Sequence, residues 1–121
     1  MVKTAIETGQ EAEDMACHYL TAQGLKLLCR NFHSPRGELD VVMEDGSSIV
    51  FVEVRYRKQI RFGSGAESVN HTKQAKLVAT ALYFLQKYPK YHNRPARFDV
   101  VSITQQARQA EIDWIKDAFQ S

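Results

Sequence analysis

The sequence predicts an α/β domain in which a mixed β-sheet is flanked by helices. Helical and strand patterns alternate along the chain in the order αβββαβ, with a short further element at the C-terminal end. The apolar fraction of 44% and the charged fraction of 25% are ordinary for a globular protein. Because the chain has 121 residues and no linker or repeat, we expect one domain over residues 1–121.

The first half of the pattern is a helix followed by three strands. Apolar residues recur at helical spacing over residues 5–23, and Gly24 is the expected end of this helix. The segment Glu44-Asp45-Gly46-Ser47 has the composition of a hairpin turn. The strands are expected over residues 25–32, 38–43 and 48–55.

The second half of the pattern begins with another helix. Asn70 is its predicted N-cap, and the helix is expected to end at Lys87, before Pro89. Its expected buried stripe comprises Leu77, Val78, Ala81, Leu82 and Leu85. A fourth strand is expected over residues 98–103, and a closing element over 111–119 is expected to pack Trp114 against the core.

Simple features of the sequence argue against a membrane or secreted protein. No apolar run approaches the roughly 18 residues of a membrane span, and the N-terminal residues lack the apolar stretch of a secretory signal. Cys17 and Cys29 form no CxxC motif and suit reduced thiols. We therefore expect a cytoplasmic protein with no membrane partner.

Charge is distributed unevenly along the chain. Residues 1–54 carry four basic and nine acidic residues, whereas residues 55–97 carry ten basic residues and a single acidic one, Glu67. Either the charges decorate a solvated surface, or the basic middle is a footprint for a polyanion beside a carboxylate cluster.

One of the acidic residues falls on an apolar helix face. At about 100° per residue, Glu13 lies within the arc formed by Ile6, Gly9, Ala12, Ala16, Cys17 and Leu20. A carboxylate on a buried face is costly without a partner. Glu13 is therefore expected to pair with an arginine, to reach water at the rim, or to belong to a functional site.

Alternation along the hairpin strands brings two more carboxylates together. On the strand over 48–55, Glu53 and Arg55 share a face with Phe51. On the strand over 38–43, Asp40 lies opposite the apolar face, which comprises Leu39, Val41 and Met43. A two-residue turn sets Asp40 opposite Phe51 and a four-residue turn sets it opposite Glu53. Either register places Asp40 and Glu53 on one face.

Two neighbouring carboxylates call for a positive partner. They repel each other unless a proton or a cation lies between them, and their oxygens favour a hard cation such as Mg²⁺. Such a cation activates water and neutralises charge on a phosphate. Asp40 and Glu53, with the basic Arg55 nearby, therefore predict the arrangement of a metal-dependent nuclease.

Five short segments, in order along the chain, match the motifs of a known family. They are Gly9 with Glu13 and Ala16, Asn31 with Gly37-Glu38-Leu39-Asp40, Phe51-Val52-Glu53-Val54-Arg55-Tyr56-Arg57, Phe62-Gly63 with Glu67, Val69 and Lys73, and Arg97-Phe98-Asp99-Val100-Val101. In these segments the sequence resembles the YraN family of uncharacterised bacterial proteins. That family is placed in the PD-(D/E)xK nuclease superfamily, with restriction endonucleases and archaeal Holliday-junction resolvases. The resemblance covers nearly the whole chain and implies a restriction endonuclease-like fold.

The resemblance also implies a role for each matching residue. Asp40 is the expected central metal ligand, Glu53 the second and the Val54 carbonyl a third, with Mg²⁺ or Mn²⁺ as the cofactor. Glu13 is expected to orient metal-bound water or to complete the acidic site. Arg55 stands where the superfamily has lysine. Because arginine stays protonated, it holds a phosphate and stabilises charge but does not act as a general base.

Two residues on the second helix are candidates to replace the missing lysine. Gln74 falls in the middle of the predicted buried stripe, and Lys73 lies at its edge. Lys73 is expected either to swing toward the carboxylates or to remain a surface residue of the first turn.

The basic middle of the chain supplies the expected nucleic-acid contacts. Arg57, Lys58 and Arg61 follow the predicted metal-binding strand, and Lys76 projects from the outer face of the second helix. A second basic group comprises Lys87, Lys90, Arg94 and Arg97, with Tyr88 and Tyr91 among them. Exposed aromatic residues in these segments are expected either to stack on unpaired bases or to anchor the loop and the helix end.

Two function classes follow from the sequence. One is a Mg²⁺-dependent nuclease for branched or single-stranded DNA, with Glu13, Asp40, Glu53, Arg55 and Lys73 as its catalytic residues. The other is a nucleic-acid-binding module that keeps the fold but has little or no activity. Arg55 in place of lysine is the feature that separates them, and in both classes DNA rather than RNA is the expected partner.

Overall fold

The computed structural model describes residues 9–57, 69–106 and 108–120, and it is an α/β structure with one five-stranded mixed sheet. The elements in chain order are α1 (Gly9–Ala22), β1 (Lys26–Ser34), β2 (Gly37–Asp45), β3 (Ser48–Arg57), α2 (His71–Lys87), a short 3-10 helix (Pro89–Tyr91), β4 (Ala96–Gln106) and β5 (Gln109–Phe119). The strands lie in the order β1-β2-β3-β4-β5. Pairing is antiparallel except between β3 and β4, which are parallel.

The two helices cover opposite faces of the sheet. Each helix packs on a separate group of buried apolar residues, called here the α1 cluster and the α2 cluster. In β3, Val50 and Val52 belong to the α1 cluster, whereas Ile49 and Phe51 belong to the α2 cluster. This alternation confirms the two predicted faces of β3. Because side chains alternate along a strand, Glu53 belongs to the face that α2 covers.

Helix α1 follows the predicted pattern closely. Its buried residues are Ala12, Ala16, Cys17 and Leu20, all from the predicted face. Gly9 is exposed, which corrects its predicted burial, because it is the first residue of the helix and lies beyond the packed turns. Gly24 has a φ of 101° and ends the helix, and the N–H of Leu25 donates to the Leu20 carbonyl at 3.1 Å. Ile6 lies outside the described residues.

Helix α2 is rotated relative to the predicted stripe. Leu77 and Ala81 are buried as expected, but Leu82 is 57% exposed, and Thr80 and Phe84 take inner positions instead. A polar residue is tolerated there because the Thr80 hydroxyl donates to the Lys76 carbonyl at 2.7 Å. The Asn70 cap is confirmed, since its side chain accepts from the N–H of Lys73.

The N-terminal half of β2 departs from the predicted alternation. Leu39 packs in the α2 cluster, with Val42, whereas Val41 and Met43 pack in the α1 cluster. The reason is local, because β2 pairs with β3 only from Val41 onwards. Before that residue the side chain of Asp40, rather than the strand backbone, accepts the N–H of Val54.

The closing element at the C-terminal end is longer than predicted. It is a full strand, β5, which pairs antiparallel with β4 and gives the order αβββαββ. Trp114 packs against the α1 cluster, as expected, and its ring N–H donates to the fully buried Asp99 at 2.9 Å. Neither α1 nor α2 is long and apolar enough to cross a membrane.

Candidate functional site

A polar cleft of about 410 Å³ lies where β2 and β3 meet the first turns of α2. Among the residues that line it are Asp40, Glu53, Asn70, Lys73 and Lys76. Glu38 lines it as well, so three carboxylates and two ammonium groups face one cleft. The acids lie on the sheet, and the lysines lie on the helix that covers it.

Asp40 is fixed by the backbone of the neighbouring strand. Its Oδ2 accepts a hydrogen bond of 3.0 Å from the N–H of Val54. The observed register pairs Val41 with Val52, which is the second of the two predicted registers, but the turn that sets it has two residues, Gly46 and Ser47, rather than four. Regular pairing ends at Val41, and beyond it the side chain of Asp40 lies close enough to Glu53 to hydrogen-bond with it.

Glu53 is a buried carboxylate with a strongly perturbed pKa. Its side chain is only 6% exposed. Burial, the hydrogen bond to Asp40 and the negative charge of Asp40 raise its pKa from 4.5 to about 7, against the opposing effect of Lys73. Glu53 therefore exchanges its proton near neutral pH, unlike an ordinary glutamate.

Lys73 is the lysine of the cleft that contacts a carboxylate. Its Nζ lies 2.7 Å from Oε2 of Glu53. The contact is an ion pair between an ammonium group and a buried carboxylate. Gln74, the other candidate, instead donates from Nε2 to the Val69 carbonyl at 2.8 Å. Of the two, only Lys73 reaches the carboxylates.

Of the three arrangements expected for Glu13, the structure shows the pairing with an arginine; Glu13 does not line the cleft, and its role in a functional site stays a prediction. Nη2 of Arg30 lies 3.5 Å from its Oε1, which is the salt bridge expected for a carboxylate on a buried face. Burial and then the charge of Asp40 raise the pKa of Glu13, whereas Arg30 and Asn31 lower it. Glu13 thus lies within electrostatic range of Asp40 while it is held by Arg30.

Arg30 is a site residue that the sequence prediction lacks. It also binds Asp14, with Nη1 at 2.8 Å from Oδ1, so one guanidinium connects β1 to two carboxylates of α1. A single arginine within a largely apolar strand, beside a helix with a misplaced glutamate, is the pattern that would have indicated this pair.

The donor set suits a cation bound by two carboxylates. Within the described segments no three His, Cys, Asp or Glu side chains are grouped closely enough to hold a metal ion together. Mg²⁺ is commonly bound through one or two carboxylates with water in its other positions, so Asp40 and Glu53 suffice for it. The buried carboxylate of Glu53, next to Asp40, fits this role. Val54 contacts Asp40 through its N–H, and the role of its carbonyl as a ligand stays a prediction.

The predicted basic residues lie in several places. Arg55 is half-buried on β3, is not part of the cleft lining and has no ion-pair partner in the described segments. Arg57 ends β3, and Lys76 is exposed at the cleft. Lys58 and Arg61 lie outside the described residues, as do Phe62 and Glu67.

The second basic group is divided between two arginines in salt bridges and two exposed lysines, and its role in nucleic-acid binding stays a prediction. Arg97 binds Asp45 at 2.9 Å and the buried Asp99 at 3.0 Å, and Arg94 binds Glu44 of the same hairpin. Tyr88 and Tyr91 pack against the α2 cluster, beside Phe84. Arginines already neutralised by carboxylates are poor phosphate ligands, whereas Lys87 and Lys90 remain exposed.

Comparisons with known proteins all indicate the same family. The model of the uncharacterised protein family UPF0102 matches residues 12–103. A UPF0102 protein of Nitrosococcus oceani is 49% identical over 113 residues, which cover 93% of this chain and 91% of that protein. A UPF0102 protein of Pseudomonas fluorescens is 44% identical over 119 residues, which cover 98% of each chain. A third, from Alcanivorax borkumensis, is 40% identical over 122 residues, which cover all of this chain and 98% of that protein.

Proposed function

The chain belongs to the uncharacterised protein family UPF0102, the YraN family, and from its cleft we propose that it is a nucleic-acid-binding nuclease that uses Mg²⁺ or Mn²⁺. The observation that carries this proposal is the convergence of Asp40, Glu53 and Lys73. A pair of facing carboxylates with an ammonium group 2.7 Å from one of them suits hydrolysis of a phosphodiester. DNA, branched or single-stranded, is the proposed substrate.

Asp40 and Glu53 are the residues that would hold the cation. When bound, a divalent cation supplies an activated water molecule and neutralises charge that develops on the phosphate. Asp40 is ready for this role because the Val54 N–H fixes its carboxylate before any ligand arrives. Glu53 faces Asp40 from a buried position, so neither carboxylate is free to turn away into solvent.

Lys73 has a role that Arg55 does not perform. Arg55 lies outside the cleft lining, whereas the ammonium group of Lys73 lies within it and is able to bind a phosphate oxygen. The Asn70 cap places Lys73 in the first turn of α2, directly above the acids. We therefore propose that Lys73 replaces the lysine that this chain lacks at position 55, and that Arg55 stabilises charge on the phosphate.

The proposed fold is restriction endonuclease-like. The acidic hairpin of β2 and β3, the parallel pairing of β3 with β4 and a helix on each face of the sheet support it. Lys76 at the mouth of the cleft and Arg57 at the end of β3 are the proposed phosphate contacts on this fold, together with Lys58 and Arg61.

A binding module with little activity is the second candidate. The observation that favours it is Arg55, which stands in place of the expected lysine and lies outside the cleft lining. Such a module would bind DNA through the same basic residues but would not cleave it.

Strand scission distinguishes the two candidates. Wild-type protein is incubated with Mg²⁺ or Mn²⁺ and with one of five substrates: linear DNA, forked DNA, four-way-junction DNA, single-stranded DNA or RNA. The Asp40→Asn variant, treated in the same way, controls for a contaminating nuclease. The nuclease proposal predicts cleavage by wild type and losses of about 10²- to 10³-fold in Lys73→Ala. Lys76→Ala, compared at saturating substrate because it also weakens binding, is the matched control: it removes an ammonium group from the same cleft and helix but leaves the contact of Lys73 with Glu53 in place. If wild type binds these substrates and cleaves none, the binding module is the correct function.

A further inference from the structure

A second groove, outside the acidic cleft, lies between α2 and the turn that joins β1 to β2. Its volume is about 500 Å³, and Arg36, Ala79, Leu82 and Tyr83 are among the residues that line it. We propose that this groove binds an unpaired nucleotide of a single-stranded nucleic acid, with Tyr83 stacking on the base and Arg36 contacting a phosphate. The inference rests on the proposed function, because the acidic cleft would receive the same strand.

The groove presents an aromatic ring to solvent. Tyr83 is 40% exposed, and Leu82 beside it is also exposed. The Tyr83 ring is held from one side by Phe32, with ring centroids 6.1 Å apart. A ring that is already positioned and still accessible suits stacking on a base, which every nucleotide offers once it is unpaired.

The charge around the groove favours a polyanion. None of its lining residues is acidic, and helix α2 contains no Asp or Glu along its whole length. The guanidinium of Arg36 is exposed and has no partner within the described ranges, since only its backbone N–H is bonded, to Ser34. Glu38, the nearest acid after the turn, lies 3.2 Å from His33.

The groove lies next to the acidic cleft. Gly37 lines the cleft and the residue before it, Arg36, lines the groove, so the two lie on either side of one turn. That turn is pressed against α2, because a Cβ on Gly37 would lie 3.1 Å from the Thr80 hydroxyl. Lys76 and Tyr83 are seven residues apart and therefore lie on the same side of α2, about 10 Å from each other along its axis. A strand that leaves the cleft past Lys76 thus meets Tyr83 at a neighbouring nucleotide.

A single strand fits this path better than a duplex does. Bases in a duplex are stacked on one another and do not offer a free face to Tyr83. The proposal therefore assigns the substrate an unpaired segment on the α2 side of the cleaved bond. Forked DNA, branched DNA and simple single strands all offer such a segment.

The test measures binding without cleavage. Fluorescence anisotropy gives the affinity of the full chain for a fluorescein-labelled oligothymidylate and for a blunt duplex of the same length, in EDTA. Tyr83→Leu should weaken binding of the single strand by roughly 5- to 150-fold, the loss of one stacked base. Tyr83→Phe, the matched control, keeps the ring and should bind as wild type does, and neither variant should change the affinity for the duplex. Arg36→Gln should weaken binding of the single strand. It should also reduce the steepness with which the logarithm of the binding constant falls against the logarithm of the salt concentration by about 0.7, the value for one lost phosphate contact.

Each result separates this inference from the proposed nuclease. If the variants behave as expected but wild type never cleaves, the groove assignment stands and the nuclease proposal falls. If Tyr83→Leu and Arg36→Gln both bind the single strand as tightly as wild type, the groove assignment is wrong, whatever the cleavage assay gives. If Tyr83→Leu binds the single strand as wild type does but no longer forms a dimer that wild type forms, the groove is instead a contact between two copies of the chain. If wild type binds no nucleic acid, both proposals are overturned.

Discussion

Glu53 should make the stability of the protein fall as the pH rises through neutrality. Its pKa in the folded protein is about 7, against 4.5 for an ordinary glutamate, so the folded state binds the proton more tightly than the unfolded state does. The stabilising contribution of this proton is complete below about pH 4.5 and is lost as the pH rises through 7. A glutamine at this position has no proton to lose, so Glu53→Gln should remove this dependence.

The size of the effect follows from the shift and from the burial. The pKa of Glu53 rises from 4.5 to about 7, and each unit corresponds to about 1.4 kcal/mol, which gives about 3 kcal/mol in the free energy of unfolding. Little is lost to solvent screening, because the side chain is only 6% exposed. The difference in stability between wild type and Glu53→Gln should therefore change by about 3 kcal/mol between pH 4.5 and 8.

Urea denaturation at a series of pH values measures this difference. Titrating groups remote from Glu53 are common to both proteins and cancel when the two stability curves are subtracted, whereas Asp40 and Lys73, which interact with Glu53, contribute to the difference. Glu38→Gln is the matched control, since Glu38 lines the same cleft but its side chain is 66% exposed, and its curve should parallel that of wild type. Parallel curves for wild type and Glu53→Gln would refute the explanation that burial and Asp40 together hold a proton on Glu53.

Three further predictions concern the rest of the molecule. Arg97→Ala should lower the free energy of unfolding, measured by urea denaturation, by about 3 kcal/mol, because it leaves the buried carboxylate of Asp99 without its counter-charge. A loss below about 1 kcal/mol would show that the hydrogen bonds from Trp114 and from the Asp117 N–H satisfy Asp99 without Arg97. Lys76→Ala should weaken DNA binding about uniformly across sequences and reduce the salt slope by up to about one unit, and an unchanged slope in anisotropy titrations would remove Lys76 from the interface. Arg55→Lys should retain or raise cleavage, whereas Arg55→Ala should lower it by about 10²- to 10³-fold; equal rates in wild type and Arg55→Ala would exclude a role for this charge.

The features that were predicted correctly depend on local sequence. Gly24 ends α1, and Asn70 caps α2, because each satisfies backbone groups a few residues away. The common face of Asp40 and Glu53 follows from strand alternation and from a short turn with Gly46, which has a φ of 59°. These are short-range constraints, and the sequence carries them in full.

The features that were missed depend on tertiary contacts. Leu82 is exposed and Thr80 buried because the α2 face is set by what the sheet offers, including the aromatic cluster around Phe84. Leu39 changes face because Asp40 takes over a backbone bond of Val54. The pairing of Glu13 with Arg30, and of Lys73 with Glu53, joins residues far apart in the chain. Periodicity assigns a face to each of these residues but does not assign a partner.

If Asp40 and Glu53 form a divalent-cation site, titration calorimetry with Mn²⁺ should show binding of about one ion per chain at pH 7. Binding should release about half a proton, measured in buffers of different ionisation enthalpy, because Glu53 with a pKa of about 7 is half protonated at that pH and must ionise to bind a metal. Asp40→Asn should lose this binding, and Glu38→Gln should keep it. Absence of binding to wild type, or equal binding to Asp40→Asn, would show that these two carboxylates do not form a cation site.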